Sequence, residues 1–201
     1  MMLTSWGYTL TGVDTLPAII TETEFNTMTG GRYTGDSRVA PGIASASSAL
    51  RSHCGWHLAG SLACSIKWLA KNRGITRAGA DLIIQLPARF VSAVSTVKID
   101  DTAMLDFFVD TNGLLTVFNA GVVSRKSIVE VEYTAGRDSS ELKELIAEMV
   151  TLNVAKSYGV TSEAAGGVSV TYNSSWTNGS YDRILDNNAG LLAPYRLEGV
   201  F

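Results

Sequence analysis

The sequence predicts an α+β fold with antiparallel strands, on three observations. Leu142, Leu145, Ile146, Met149 and Val150 recur at the i, i+3, i+4, i+7, i+8 spacing of an amphipathic helix. Ile128 to Tyr133 alternates instead: Val129, Val131 and Tyr133 face one way and Ile128, Glu130 and Glu132 the other, the period of a half-buried strand. Thr111-Asn112-Gly113 separates two apolar runs, Met104 to Asp110 and Leu114 to Phe118. Asn-Gly in that position is a hairpin signal, because both residues tolerate the positive φ of a tight primed turn.

The remaining elements follow in chain order. Residues 1–45 are rich in Thr, Gly and Ser. Leu16 to Phe25 reads as a short helix and Met28 to Gly42, with Gly30-Gly31 and Pro41-Gly42, as loop. Ile43 to His53 is Ala-rich, free of Pro and Gly and followed by Gly55, which predicts a helix with Ala46, Ala49, Leu50 and His53 inward. Leu58 to Leu69 and Asp81 to Leu86 read as strands joined by a turn around Asn72-Arg73-Gly74. Phe90 to Asp100 reads as a third strand, with Asp100-Asp101 just before a turn at Thr102-Ala103.

Asp138 reads as the N-cap of the clearest helix, with Glu141 three residues on as its capping-box partner and Gly159 after Tyr158 as its stop. Its apolar stripe is expected to pack on the helix ending near His53 and on the sheet. Glu141, Lys143, Glu144 and Glu148 occupy its other faces. Gly166 to Gly179 reads as loop, Ser180 to Asn188 as a last short helix, and Leu191 to Phe201 as a tail interrupted by Pro194.

Composition narrows the function. The 201 residues are 46% apolar and 17% charged, enough for a core without disulfide or metal. A net charge of −3 argues against a dedicated nucleic-acid binder. No apolar run is long enough to cross a membrane, and Met1 to Phe25 lacks the basic start of a secretory signal. Two cysteines, Cys54 and Cys64, make no disulfide framework, so a reducing cytoplasm of origin fits and the sequons at Asn173 and Asn178 stay idle.

The densest chemical cluster is His53-Cys54-Gly55-Trp56-His57, with Cys64 beyond it. Its spacing suits neither zinc nor a Cys-His nucleophile: neighbouring ligands diverge, and no Cys-x2-Cys or His-x3-His pair occurs. Cys54 therefore reads as a small buried hydrophobe, Gly55 as the helix end and Trp56 as an anchor. The sequence holds no nucleophile elbow, phosphate loop or His-Glu-x-x-His, so neither an enzyme nor a cofactor is expected. Lys67, Lys71, Arg73 and Arg77 form the one basic run and read as a solvated face.

Several segments, taken in order, resemble one family. Leu50 to His57 closes a helix with Cys54-Gly55-Trp56-His57. Leu86-Pro87-Ala88 leads into the strand from Val91. Val129 to Gly136 runs into the amphipathic helix, and Pro194-Tyr195-Arg196-Leu197 lies near the end. The ordered set, over about residues 43–201, is similar to the head-to-tail connector (adaptor) proteins of long-tailed bacteriophages, above all those of actinobacterial phages. Ala135 departs from their frequent Tyr-x-His-Gly pattern. The resemblance implies a small helical bundle with inserted antiparallel strands, divided as an N-terminal extended segment 1–42, a connector core 43–190 and a C-terminal arm 191–201.

It further implies a dodecameric ring of copies in the virion neck, assembled in the host cytoplasm. The ring would sit between the portal protein and the next neck or tail protein, with genomic DNA only passing through. Cys54, Gly55, Trp56 and His57, with Leu142, Leu145 and Met149, would form the core. The tail either folds back on its own domain or reaches the portal or a neighbouring copy, the reading favoured here, through Leu192, Tyr195, Arg196, Leu197 and Phe201. A free-standing β-rich binding or adhesion module, and another neck protein such as a stopper or tail-completion protein, are the alternatives.

Overall fold

The structure is a computed structural model describing residues 2–3, 7–12, 14–58, 60–71, 74–156, 162–165, 168–171 and 181–197. The expected turn at Asn72-Arg73, the helix stop at Tyr158-Gly159, Tyr172, Trp176 and the terminal Val200-Phe201 lie outside the described residues. The chain forms two units: a β unit of Met1–Pro17, Cys54–Asp138 and Tyr195–Phe201, and a helical unit of Ala18–His53 and Ser139–Pro194. This division cuts across the sequence boundaries at 42 and 190. Strands pair with strands and helices pack on helices wherever they fall in the chain.

In chain order the β unit holds β1 (Met2–Leu3), β2 (Thr9–Leu10), β3 (Leu62–Leu69), β4 (Ile75–Ala78), β5 (Asp81–Gln85), β6 (Val91–Ile99), β7 (Thr102–Ala103), β8 (Phe107–Val109), β9 (Leu114–Val117) and β10 (Ile128–Ala135). They build two antiparallel sheets, ordered β1-β2-β3-β10-β6-β7 and β4-β5-β9-β8. The expected strands 58–69 and 81–86 therefore belong to different sheets, and β4 lies between them in sequence. β10 is the centre of the larger sheet, opposite β3 from Ile128↔Leu69 to Ala135↔Leu62 and flanked by β6 on its other edge. Its alternation is the one the sequence predicts: Val129, Val131, Tyr133 and Ala135 are buried.

Two turns differ from expectation. In the β8–β9 hairpin Asp110 N–H donates to Leu114 O (3.0 Å) and Gly113 N–H to Asp110 O (3.1 Å). Of the loop residues Thr111, Asn112 and Gly113, Gly113 alone has positive φ, +82°. That is a three-residue loop closed by a left-handed glycine rather than a two-residue primed turn. The primed turn lies instead between β6 and β7, where Ile99 opposes Thr102 and Asp100 and Asp101 have φ of +48° and +63°. The two acids are thus the turn itself.

The helical unit holds α1 (Glu22–Met28), α2 (Val39–Cys54) to His53, α3 (Ser140–Lys156), the strand pair β11 (Ser162–Ala165) and β12 (Val168–Thr171), α4 (Asp182–Asn187) and α5 (Ala189–Leu192). α2 starts before the expected Ile43: Pro41 and Gly42 sit in its first turn, where a proline's missing N–H costs no helical bond. Its buried face runs Val39, Ile43, Ala46, Ser47, Leu50, while Ala49 and His53 are half-buried at its margin. Ser47 Oγ accepts from the Ile19 amide at 3.2 Å, which makes a polar residue acceptable there. A Cβ on Gly42 would stand 3.2 Å from Val150 Cγ1, so the glycine lets α2 and α3 approach closely.

α3 carries its stripe as read, with Leu142, Leu145, Ile146, Met149 and Val150 buried and Glu141, Glu144 and Glu148 exposed. Its cap is Ser139, whose Oγ accepts from Leu142 N–H (3.4 Å) and whose carbonyl accepts from Lys143 N–H (3.1 Å). Asp138 stands one residue outside. The expected loop over 166–179 contains β12, and the last short helix appears as α4. The expected tail from Leu191 starts inside α5 and continues as a 3-10 turn over Ala193–Tyr195, which accommodates Pro194 in its first positions.

α1 is held by a capping box: Thr21 N–H donates to Glu24 Oε2 (2.8 Å) and Glu24 N–H to Thr21 Oγ1 (3.2 Å). Lys143 Nζ also reaches Glu24, at 2.7 Å, tying α1 to α3. Lys143 first, then Thr21, hold the Glu24 carboxyl at about 2 instead of 4.5. A depressed carboxyl stabilises the fold fully above its unfolded value and loses that contribution as pH falls towards 2. Glu24→Gln is expected to destabilise the protein at pH 7 by under about 1 kcal/mol for so exposed a pair, read as a lower melting temperature. Thermal melts across pH should show variant and parent converging as pH approaches 2, and a pH-independent difference would contradict the assignment.

Candidate functional site

The sequence-distant segments of the connector-like pattern meet in the β unit. α2 ends at Cys54, and the orphan carbonyl that a helix end leaves is taken by the tail: Leu197 N–H donates to Cys54 O at 3.0 Å. Trp56 is fully buried, and its Nε1–H donates to Tyr195 O at 2.5 Å. Arg89 Nε donates to Arg196 O at 2.8 Å. Three consecutive tail residues are thereby fixed through their backbone, Tyr195 and Leu197 to the Cys54–Trp56 segment and Arg196 to Arg89.

Phe90 fills the space between them. Its ring centroid lies 6.2 Å from Trp56 and 5.2 Å from Tyr195, and the Arg137 guanidinium stands 5.1 Å from it. Phe90 holds this position at φ +54°, a left-handed conformation that bulky residues rarely take. The Gly136 amide donates to Phe90 O at 3.3 Å across the same junction. Gly136 is itself at φ +110°, and a Cβ there would lie 2.0 Å from Gly60 O. Only glycine fits.

Behind Trp56, His57 closes the junction from below. The Ala135 carbonyl can only accept, so His57 Nε2, at 2.9 Å, carries the proton. His57 Nδ1 then accepts from Tyr8 O–H at 2.8 Å, while the same hydroxyl oxygen accepts from His57 N–H at 3.0 Å. The imidazole is wholly buried and both ring nitrogens are engaged in holding β10 and the N-terminal segment. Such a histidine is a structural pin.

The cysteines pack as small hydrophobes. Cys54 and Cys64 are free and buried, and burial pushes both thiols up to about 12. Among the described residues no group of three or more His, Cys, Asp or Glu is placed to hold a metal ion. Neither thiol is expected to react appreciably with an aromatic disulfide reagent at pH 8 in the native state, whereas both should react at once in denaturant. Rapid labelling of the folded protein would show that one of them is accessible.

Of the residues singled out in the sequence, Cys54, Gly55, Trp56, His57, Tyr195, Arg196 and Leu197 are gathered here. Arg196 is exposed and Leu197 half-buried. Leu192 is buried in the helical unit, where Leu142, Leu145 and Met149 form the core; Phe201 lies outside the described residues. The basic run is split: Lys67 in β3 pairs with Glu130 directly opposite, Arg77 in β4 donates to the carbonyls of Gly79, Gly121 and Val123, and Arg73 is not among the described residues. Sequence reading missed Tyr8, Arg89, Phe90 and Arg137. The usable signals were faint: a glycine immediately after a strand, and an aromatic between Pro87 and the next strand.

No helix among the described residues is long and apolar enough to cross a membrane. No curated protein matches the sequence. A family model described as head completion protein matches residues 18–180, so the match takes in α1 and begins earlier than the resemblance at residue 43. Matched over more than half its length, the chain belongs to the head completion protein family, structural proteins of the bacteriophage neck.

Proposed function

We propose that the chain is a ring subunit of the neck, seated between the portal protein and the next neck or tail protein and lengthening the channel through which the genome passes. The observation that supports this reading is the junction around Trp56. Its hydrogen-bonding groups are used to fasten the chain's own C-terminal segment, through Tyr195 O, Arg196 O and Leu197 N–H, and this is an arrangement for positioning a contact surface rather than for turning over a substrate. Copies of the chain form a dodecameric ring, as in the connectors it resembles. The protein works without a cofactor and is not an enzyme.

The C-terminal residues contact the portal or the neighbouring subunit. Tyr195 and Leu192, buried in their own chain, hold the segment in place, and Arg196, Leu197 and Phe201 make the contact. A chain ending at Leu197 is expected to melt within a few degrees of the parent but to fail in completing heads, read as loss of plating efficiency. A chain ending at Gly190 loses Leu192 and Tyr195 as well and should melt distinctly lower. Full head completion by the chain ending at Leu197 would overturn the role given to the last residues.

A further inference from the structure

Resting on the ring reading above, we propose that two surfaces of the β unit bind each other head-to-tail between neighbouring copies: the outer face of β4-β5-β9-β8, acidic and aromatic, and a basic, apolar corner at the ends of β3 and β10. The register defines the first surface. Phe108 opposes Thr116, which opposes Ile83, which opposes Thr76, so these share one face of the sheet. Leu114 and Phe118 lie on the same side of β9 as Thr116, while Leu115 and Val117 are buried beneath. Phe108 is 61% exposed, and Leu105 beside the strand is 92% exposed. Apolar side chains so open and so close together mark a contact surface.

Charge identifies the occupant. Asp106 and Asp110 flank β8 on the side of Phe108, and Asp81 shares a side of β5 with Ile83. Asp106 is exposed, while the half-buried carboxylates of Asp110 and Asp81 also accept from the Leu114 and Asn119 amides. No Lys or Arg occupies these face positions. Arg77 in β4 opposes the buried Leu82, on the other side of the sheet from Thr76, and donates to the carbonyls of Gly79, Gly121 and Val123. The second surface is the converse. Leu69 and Ile128 oppose each other in register and are 39% and 37% exposed. Lys71, Arg125 and Lys126 are exposed around them, where Ala70 N–H donates to Ser127 O at 2.8 Å. Asp100, Asp101 and Glu130 stand here against Lys67, Lys71, Lys98, Arg125 and Lys126, so cations are in excess at this corner.

A two-fold pairing of the acidic face with itself would set aspartates against aspartates, and self-pairing of the corner would set cations against cations. Pairing one surface with the other satisfies both, and a contact of that kind is heterologous, the class of interface that a ring requires. Phe108 is the apolar anchor of the contact.

A charge-swap experiment tests this in phage lacking the gene and complemented with it. The face variant carries Asp106→Lys and Thr116→Lys, and the corner variant Arg125→Glu and Lys126→Glu. Asp106, Arg125 and Lys126 are exposed and Thr116 is half-buried, and melting curves verify folding. If the face variant does not fold, Asp106→Lys alone replaces it. Each variant alone should lower plating efficiency by about a hundredfold or more, since every subunit contact then opposes like charges. Co-expression of the two should restore plating to within about tenfold of the parent, because an alternating ring of even copy number again has opposite charges at every contact. Parental plating by either variant, or no recovery on co-expression, would overturn the pairing. The number of chains per purified particle separates this from the ring reading: one copy overturns the ring itself, whereas several copies with fully active variants overturn only this contact.

Discussion

Trp56→Ala is expected to destabilise the protein by about 3–5 kcal/mol, the range for truncating a large buried aromatic side chain. That is a large fraction of the roughly 5–15 kcal/mol that holds a typical domain. The side chain is wholly buried between His57 and Phe90, and its removal also deprives Tyr195 O of its donor. Trp56→Phe separates the two effects. It keeps most of the ring volume and leaves the carbonyl short of its indole partner, a loss of about 1–3 kcal/mol. Urea unfolding measures the first difference, and the rate of carboxypeptidase digestion of the native protein measures release of the tail. A Trp56→Phe protein as stable and as resistant as the parent would mean that the 2.5 Å contact with Tyr195 contributes nothing.

Met149→Asp is the second large effect. Met149 is fully buried in α3, with Leu145, Ile146 and Val150 beside it on the same stripe. A carboxylate there has no described partner of opposite charge on its own stripe, and the cost of burying it is several kcal/mol at pH 7. The sign with pH follows from desolvation, which raises the folded pKa of a buried carboxyl above its unfolded value. The neutral acid is tolerated better, so the deficit relative to the parent should shrink as pH falls from the raised folded value towards the unfolded carboxyl value of about 4. Met149→Leu keeps volume and apolarity and should cost under about 1.5 kcal/mol. Denaturation at pH 7 and pH 4 checks both. A Met149→Asp protein with the parental midpoint would place that face of α3 in solvent.

Local patterns carried far in this chain. The stripe of α3 and the alternation of β10 are properties of neighbouring residues, and both appear in the structure with the predicted buried set. Errors gathered where two local solutions compete. Asp138 and Ser139 are both good N-caps, and the geometry of the chain entering α3 selected Ser139. Asn112-Gly113 and Asp100-Asp101 both suit a tight turn, and strand pairing assigned the primed turn to the aspartates. In α2, composition pointed to Ala49 and His53 as inward, whereas the inner face follows Val39, Ile43, Ala46 and Leu50 and takes in Ser47, whose hydroxyl finds a partner in the Ile19 amide.

The candidate site follows the same division. Cys54-Gly55-Trp56-His57 and Pro194-Tyr195-Arg196-Leu197 stand out in the sequence as separate motifs, and nothing in either indicates that they touch. Periodicity and capping depend on residues within a turn or two of each other, so helices, strands and the apolar faces of α3 and β10 can be read from order alone. Which sheet a strand joins is another matter, as is whether Tyr8 reaches His57 or whether the Trp56 indole meets Tyr195 O. These depend on contacts between residues 49 and 139 positions apart, whose closure is settled by the packing of the whole β unit. Gly136 joins the two levels: its place after β10 is plain in the sequence, but the reason no side chain fits there, Gly60 O at 2.0 Å from its would-be Cβ, exists only once the chain has folded.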